Sequence, residues 1–333
     1  MPDQGRAAEL EKLYQELYRS GTRPQEAVGP QWRSSHATWF LAMGLGGGLY
    51  LYRLVIGLSL GTFLGLPLTD LLSIILVGIG GAILIADLGH PERFMKAVAH
   101  ARTSWIARGA IADFVLMIVG GLAILPYLQI GGFKPFDGLK NVWTLESTLG
   151  LVLQGIAWVA AVIVMLYVGF VLYGSNSVPL WQLREVPILL PLTSLTASLG
   201  LAFLVAPATQ LTGVPLKSVA LLEIAMILLT LLFTASLLRS APRNGSAAKE
   251  SARTMTRGSY AAHFIGGVLI VGNVLPLLAL GIAYMTSGAL EVGAMALSGL
   301  LVIVGAFLLR YVLLKAALFG PPNYHSIRTP GPA

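Results

Sequence analysis

Residues 87–109 read DLGHPERFMKAVAHARTSWIARG, a run crowded with Asp87, His90, Glu92, Arg93, Lys96, His100, Arg102 and Arg108, and they lie between two strongly apolar stretches, 67–86 and 106–128. A stretch of about 20 apolar residues, wound as an α-helix at roughly 1.5 Å per residue, crosses a hydrocarbon core of about 30 Å. So much polarity between two helices of membrane length marks a working face at one surface of the bilayer.

The same apolar pattern recurs on both sides of this segment, at 36–59, 146–173, 187–209, 217–238, 260–286 and 292–314, in a chain that is 56% apolar and only 11% charged. Lipid offers backbone groups no hydrogen-bond partners, so only helices or closed barrels cross it. These runs are continuous and rich in Leu, Ile, Ala and Gly, without the two-residue alternation of barrel strands. The prediction is an all-α integral membrane protein with eight transmembrane helices over 36–314, a polar segment 1–35 before them and a tail 315–333 after them. Leu10, Leu13, Tyr14, Leu17 and Tyr18 recur at helical spacing in the first segment, as in a short amphipathic helix on lipid or on a partner. Pro321, Pro322, Pro330 and Pro332 make the tail read as extended.

No apolar signal region opens the chain, so the first span is expected to serve as its own insertion signal. With eight crossings, Arg53, Lys134, Lys140 and Lys217 fall on one side and every other Lys and Arg on the side holding both termini, called side A here. The positive-inside rule makes side A cytoplasmic, in a plasma or inner membrane. A basic surface that docks an acidic subunit gives the same bias. The net charge of +7 is thus accounted for by membrane placement, and no nucleic-acid module accompanies it.

The chain has no cysteine, which excludes disulfides, thiolate catalysis and an iron–sulfur cluster of its own. No metal site is expected. Of the histidines, His36, His90, His100, His263 and His325, no two lie one above the other on a single span, as stacked haems require. His36 and His263 both sit at side-A helix ends and leave a single bridging haem as the lesser reading.

Polar residues concentrate at one depth towards side A: His36 heads the first span, Asp87 ends the second, Arg108 and Asp113 open the third, Tyr167 and Tyr173 close the fourth, and Arg310 closes the eighth. An ionisable group inside a membrane helix is costly, so it is functional or paired. For Asp113 the competing reading is a salt bridge to Arg108 or another basic neighbour that merely locks two helices. A pocket of His, Tyr and carboxylate at an interface suits a quinone, whose carbonyls need donors that also pass protons. Elsewhere the residues read as packing: Gly44, Gly46, Gly47 and Gly48 admit close helices, Arg53 and Asp70 are placed to pair, and Glu146, Glu223 and Glu291 read as solvated helix ends on the far side rather than the start of a proton route.

The segment YVGFVLYGSNSVPLWQ (167–182) resembles the fourth helix and following loop of the NrfD/polysulfide-reductase membrane-anchor family. HATWFLAMGLGGGLYL (36–51), DLGHPERF (87–94) followed by TSWIARG (103–109), and LLRYVLLKA (308–316) match in order and spacing. The resemblance implies an anchor of two four-helix bundles that exchanges electrons between a membrane quinone, menaquinone or ubiquinone, and an iron–sulfur subunit serving a catalytic partner, commonly a molybdopterin enzyme. It implies quinone ligation by His36 and Tyr167 and no haem. Arg33 stands where relatives can carry Asn, a departure at the rim of that pocket.

The resulting expectation assigns quinone binding to His36 and Tyr167, proton handling to Asp87 and Asp113, support of the reduced ring or of the carboxylates to Arg108 and Arg310, and partner docking to the loops of His90 and Trp181. The alternative from another class is an ion-coupled secondary transporter, against which stand the lack of a repeat between the halves and of obviously broken helices, although Pro207 and Pro276 can kink two spans. A plain membrane tether is the third reading. The sequence names neither the terminal substrate nor the direction of electron flow.

Overall fold

The computed structural model describes residues 32–87, 102, 104–209 and 211–320. The expected amphipathic helix near Leu10, the docking residue His90 and the tail beyond Gly320 lie outside the described residues. Helices stand at each of the eight apolar windows: α1 Ser34–Val55, α2 Leu68–Asp87, α3 Trp105–Tyr127, α4 Thr148–Tyr173, α5 Val186–Thr209, α6 Leu216–Ser240, α8 Ala262–Met285 and α9 Ala289–Lys315, with a short α7, Ser246–Thr256, between α6 and α8. Among the described residues, seven of these are long and apolar enough to cross a membrane, and α1 is not one of them. Its 22 residues include four glycines, two tyrosines and Arg53, which lower its hydropathy below that of its neighbours.

That composition fits its position. From Trp39 to Tyr52 α1 is buried continuously, packed against α2, α4, α5 and α9. Side chains added at the glycines would collide with a different neighbour on each face: Gly44 and Gly48 with Ser194 and Ser198 of α5, Gly46 with Ser73 and Val77 of α2, and Gly47 with Ala161 of α4. The expected packing role of these glycines is therefore the one they have. α5 is the second central helix, against α9, α1, α4 and α6, while α3 packs on α4 and α2.

Helix ends follow local chemistry. Ser104 caps α3 by accepting from the Ala107 N–H at 3.3 Å, and Ser147 caps α4 by accepting from Gly150 at 3.2 Å. The α1–α2 connection turns through a hairpin of β1, Thr62–Phe63, and β2, Leu66–Pro67, whose two turn residues both have positive φ, 53° at Leu64 and 78° at Gly65. At its root Arg53 pairs with the buried Asp70 at 3.1 Å, as expected, and also binds Gln154 of α4. α8 opens with wide π-type turns over Ala262–Val274 ahead of Pro276, whose missing N–H cannot continue an ordinary ladder. α5 runs unbroken through Pro191 and Pro207.

Candidate functional site

α1 begins with an extended Arg33, which places His36 in the first turn, beside the last residue of α2. His36 Nδ1 lies 3.7 Å from Asp87 Oδ2, and its ring faces Trp32 with centroids 4.9 Å apart. One turn further along the same face comes Trp39, and one turn beyond that Met43. The Trp39 centroid is 6.4 Å from that of His36 and 6.4 Å from that of Tyr167, on which it stacks at an interplanar angle of 17°. Tyr167 is wholly buried, and its hydroxyl donates to Met43 Sδ at 2.6 Å.

α3 supplies the opposite wall. Gly109 presents bare backbone to the Tyr167 ring, where any side chain would collide. Asp113, one turn on, is 3% exposed and close enough to act electrostatically on the Tyr167 phenol. Its Oδ1 has no hydrogen-bond partner among the described residues, and no ion pair joins it to a described basic side chain. Four buried polar atoms around this centre, His36 Nδ1, Trp39 Nε1, Asp87 Oδ2 and Asp113 Oδ1, have no hydrogen-bond partner among the described residues. Buried polar atoms are normally paired, so such a cluster is a place where a water, an ion or a ligand can supply the partners.

The structure thus joins His36 with Asp87, and Tyr167 with Asp113, through Trp39. Arg108 sits outside this cluster: its guanidinium lies 4.5 Å from the centroid of Trp105 and donates to the Arg102 carbonyl at 2.7 Å. Below it, Ile111, Ala112, Val115 and Ala160 line an apolar groove of about 300 Å³ between α3 and α4. Arg310 points the other way, into α5, where it donates to the Leu190 carbonyl at 3.2 Å and to the Thr193 and Ser194 hydroxyls at 3.2 and 2.6 Å. Its partners among the described residues are neutral oxygens. His263 packs with Tyr260 and Tyr311 at the start of α8.

Trp181 is buried rather than presented: its indole donates to the Leu313 carbonyl at 2.9 Å and its ring meets Trp32 at 5.2 Å. It holds the α4–α5 loop from beneath, so any docking surface there belongs to its neighbours. Glu185 ties the end of that loop to α6, accepting from Ser236 and Ser240 at 2.8 and 2.6 Å. Partial burial raises its pKa, but those hydroxyls and nearby Arg184 outweigh this and hold it below the usual carboxylate value. Trp39, Met43 and Gly109 lie inside the segments that resemble the family, but the sequence assigns them no role; Trp39 and Met43 stand at i+3 and i+7 from His36.

The family model described as NrfD, polysulphide reductase, matches residues 24–321. This chain belongs to the NrfD family. NrfD proteins are membrane subunits of redox complexes, and with seven helices apolar enough to cross a bilayer this member is a multi-pass membrane protein. A search of curated proteins finds no match.

Proposed function

We propose that this NrfD protein is the quinone-reactive anchor of a redox complex, exchanging electrons between membrane quinone or quinol and an iron–sulfur partner subunit that serves a catalytic, molybdopterin-type subunit. The observation that carries this reading is the cluster of buried polar atoms of His36, Trp39, Asp87 and Asp113 around Tyr167, none hydrogen-bonded among the described residues, with His36 and Asp87 held 3.7 Å apart. A quinone, menaquinone or ubiquinone, supplies two-electron, two-proton chemistry when bound. The chain's own residues supply the rest. The His36 imidazole, the Trp39 indole N–H and the Tyr167 hydroxyl are the donors for carbonyl oxygens. The present acceptor of the Tyr167 hydroxyl is a thioether, a weak one, so re-aiming that O–H at a ligand oxygen sacrifices little. Asp87 beside His36 and Asp113 beside Tyr167 take up and return protons through those two side chains. The groove beneath Arg108, whose wall at Ala112 adjoins Asp113, suits an isoprenoid tail.

The same reading places α1 across the membrane as an eighth span, with α1–α4 as one four-helix bundle and α5, α6, α8 and α9 as the other, meeting where α1 and α4 pack on α5. It puts side A, with the termini and the docking loops, on the cytoplasmic face. The test is mild purification of the chain with its accompanying subunits, followed by quinone extraction and turnover assays. His36→Ala and Tyr167→Phe should lower quinone-linked turnover about 100-fold while the complex still assembles. Full turnover in both variants would sink the assignment.

A further inference from the structure

Glu223 stands on the buried face of α6 with Ile227, Thr230 and Thr234, and it is 0% exposed, not the solvated helix end that the sequence suggested. Neither carboxyl oxygen has a hydrogen-bond partner among the described residues, and the hydroxyl of Tyr52, which lies within electrostatic range of it, has none either. A carboxyl so placed needs a proton or a cation to neutralise it, because an isolated buried charge is too costly to keep.

A second observation lies one turn along α6. A cavity of about 10 Å³, room for roughly one water molecule, is enclosed by α5, α6, α8 and α9. Its polar lining is Thr193, Thr196, Thr230 and Asn273, and Ile227 stands between it and Glu223. Asn273 is placed there by the π-type turns of α8, with its amide donating back to the Val268 carbonyl at 2.7 Å. At the other end Thr193 accepts from Arg310, whose guanidinium also donates to the Ala306 carbonyl at 2.9 Å, a second residue of the cavity wall. On the far side of the same core, Phe203 and Met295 wall a groove of about 310 Å³ near Pro207 and Leu211.

We infer that Glu223 is a proton-exchanging carboxyl served by a water molecule held between Thr193, Thr196, Thr230 and Asn273, so that the second set of helices carries a polar seam from Glu223 to Arg310. When the Ile227 side chain swings aside, the Glu223 carboxyl hydrogen-bonds the cavity water; its O–H bond breaks as the proton passes to that water, and a proton from the water returns to the carboxylate, so no net charge stays buried. Ile227 is the barrier in this path, and the three threonine hydroxyls with Asn273 hold and orient the water. The seam is independent of the quinone reading, since it requires nothing at His36 or Tyr167.

The experiment is infrared difference spectroscopy of the full chain, in its complex and in lipid vesicles, on transfer from H₂O to D₂O. Wild type should show a protonated carboxyl band that shifts in D₂O, vanishes in Glu223→Gln and moves in Glu223→Asp, which keeps a carboxyl if the amide folds poorly. Thr230→Val should slow the shift about tenfold, as the loss of one hydrogen bond to the water implies, and Ile227→Ala should speed it. No Glu223 band in wild type, or a band that appears only when alkali cations are removed, would mean neutralisation by a cation and overturn the proposal. Equal exchange rates in wild type, Thr230→Val and Ile227→Ala would overturn the seam.

Discussion

The indole of Trp39 stacks on the phenol of Tyr167 within 17° of parallel, centroids 6.4 Å apart, and so stands between Tyr167 and His36. The two residues that the family resemblance singles out are therefore linked by a third, whose buried ring N–H has no hydrogen-bond partner among the described residues. Trp39→Phe keeps an aromatic ring in place and removes only that donor. Quinone-linked turnover should fall about tenfold with the complex intact, the loss expected of one buried hydrogen bond. Unchanged kinetics alongside normal assembly would show that the indole N–H takes no part.

Gly109 is where α3 meets the face of the Tyr167 ring. Gly109→Ala forces a methyl group into that ring, and overpacking of this kind costs about 1–3 kcal/mol. The variant should unfold at a lower temperature in detergent and lose turnover, whereas Gly121→Ala, with open space at its Cβ on the same helix, should do neither.

Arg53, Asp70 and Gln154 tie α1, α2 and α4 together at the opposite end from His36. Arg53→Met strands the Asp70 carboxyl, which is 1% exposed, and breaking such a buried pair costs about 3–5 kcal/mol. The double change Arg53→Met with Asp70→Asn should recover much of that loss. Thermal denaturation of both proteins decides the point: a double variant no better than the single one would contradict it.

Glu185 gives stability a defined dependence on acid. Its folded pKa is depressed, so its contribution is complete above the unfolded value near 4.5 and is lost as the pH falls through the lower folded value. Denaturation midpoints of wild type should therefore drop in that window more steeply than those of Glu185→Gln. Parallel curves would show that the Ser236 and Ser240 bonds contribute nothing to the pH dependence.

Much of this arrangement is legible in the amino-acid order, because helix length in a membrane is set by apolar run length. The windows 36–59 and 292–314 fall within a few residues of Ser34–Val55 and Ala289–Lys315. The Arg53–Asp70 pair is legible too, being enforced by a short hairpin. Three features escape for a common reason, that each depends on which neighbour a face meets. Trp39 reads as one more aromatic residue until α4 brings Tyr167 against it. Trp181 reads as an exposed loop tryptophan until α9 offers the Leu313 carbonyl. Glu223 reads as a helix end, yet seven residues at about 1.5 Å each carry it roughly 10 Å below the start of α6, onto the buried face of that helix.

α1 also bears on how the protein is made. Its glycines let three helices close around it, and with Tyr50, Tyr52 and Arg53 they leave it less apolar than the other seven long helices. A segment like this partitions poorly into lipid on its own, and Arg53 near its end adds to the penalty. On the eight-span reading, α1 and α2 are expected to enter the bilayer together as one hairpin, with Asp70, 17 residues after Arg53, there to neutralise it.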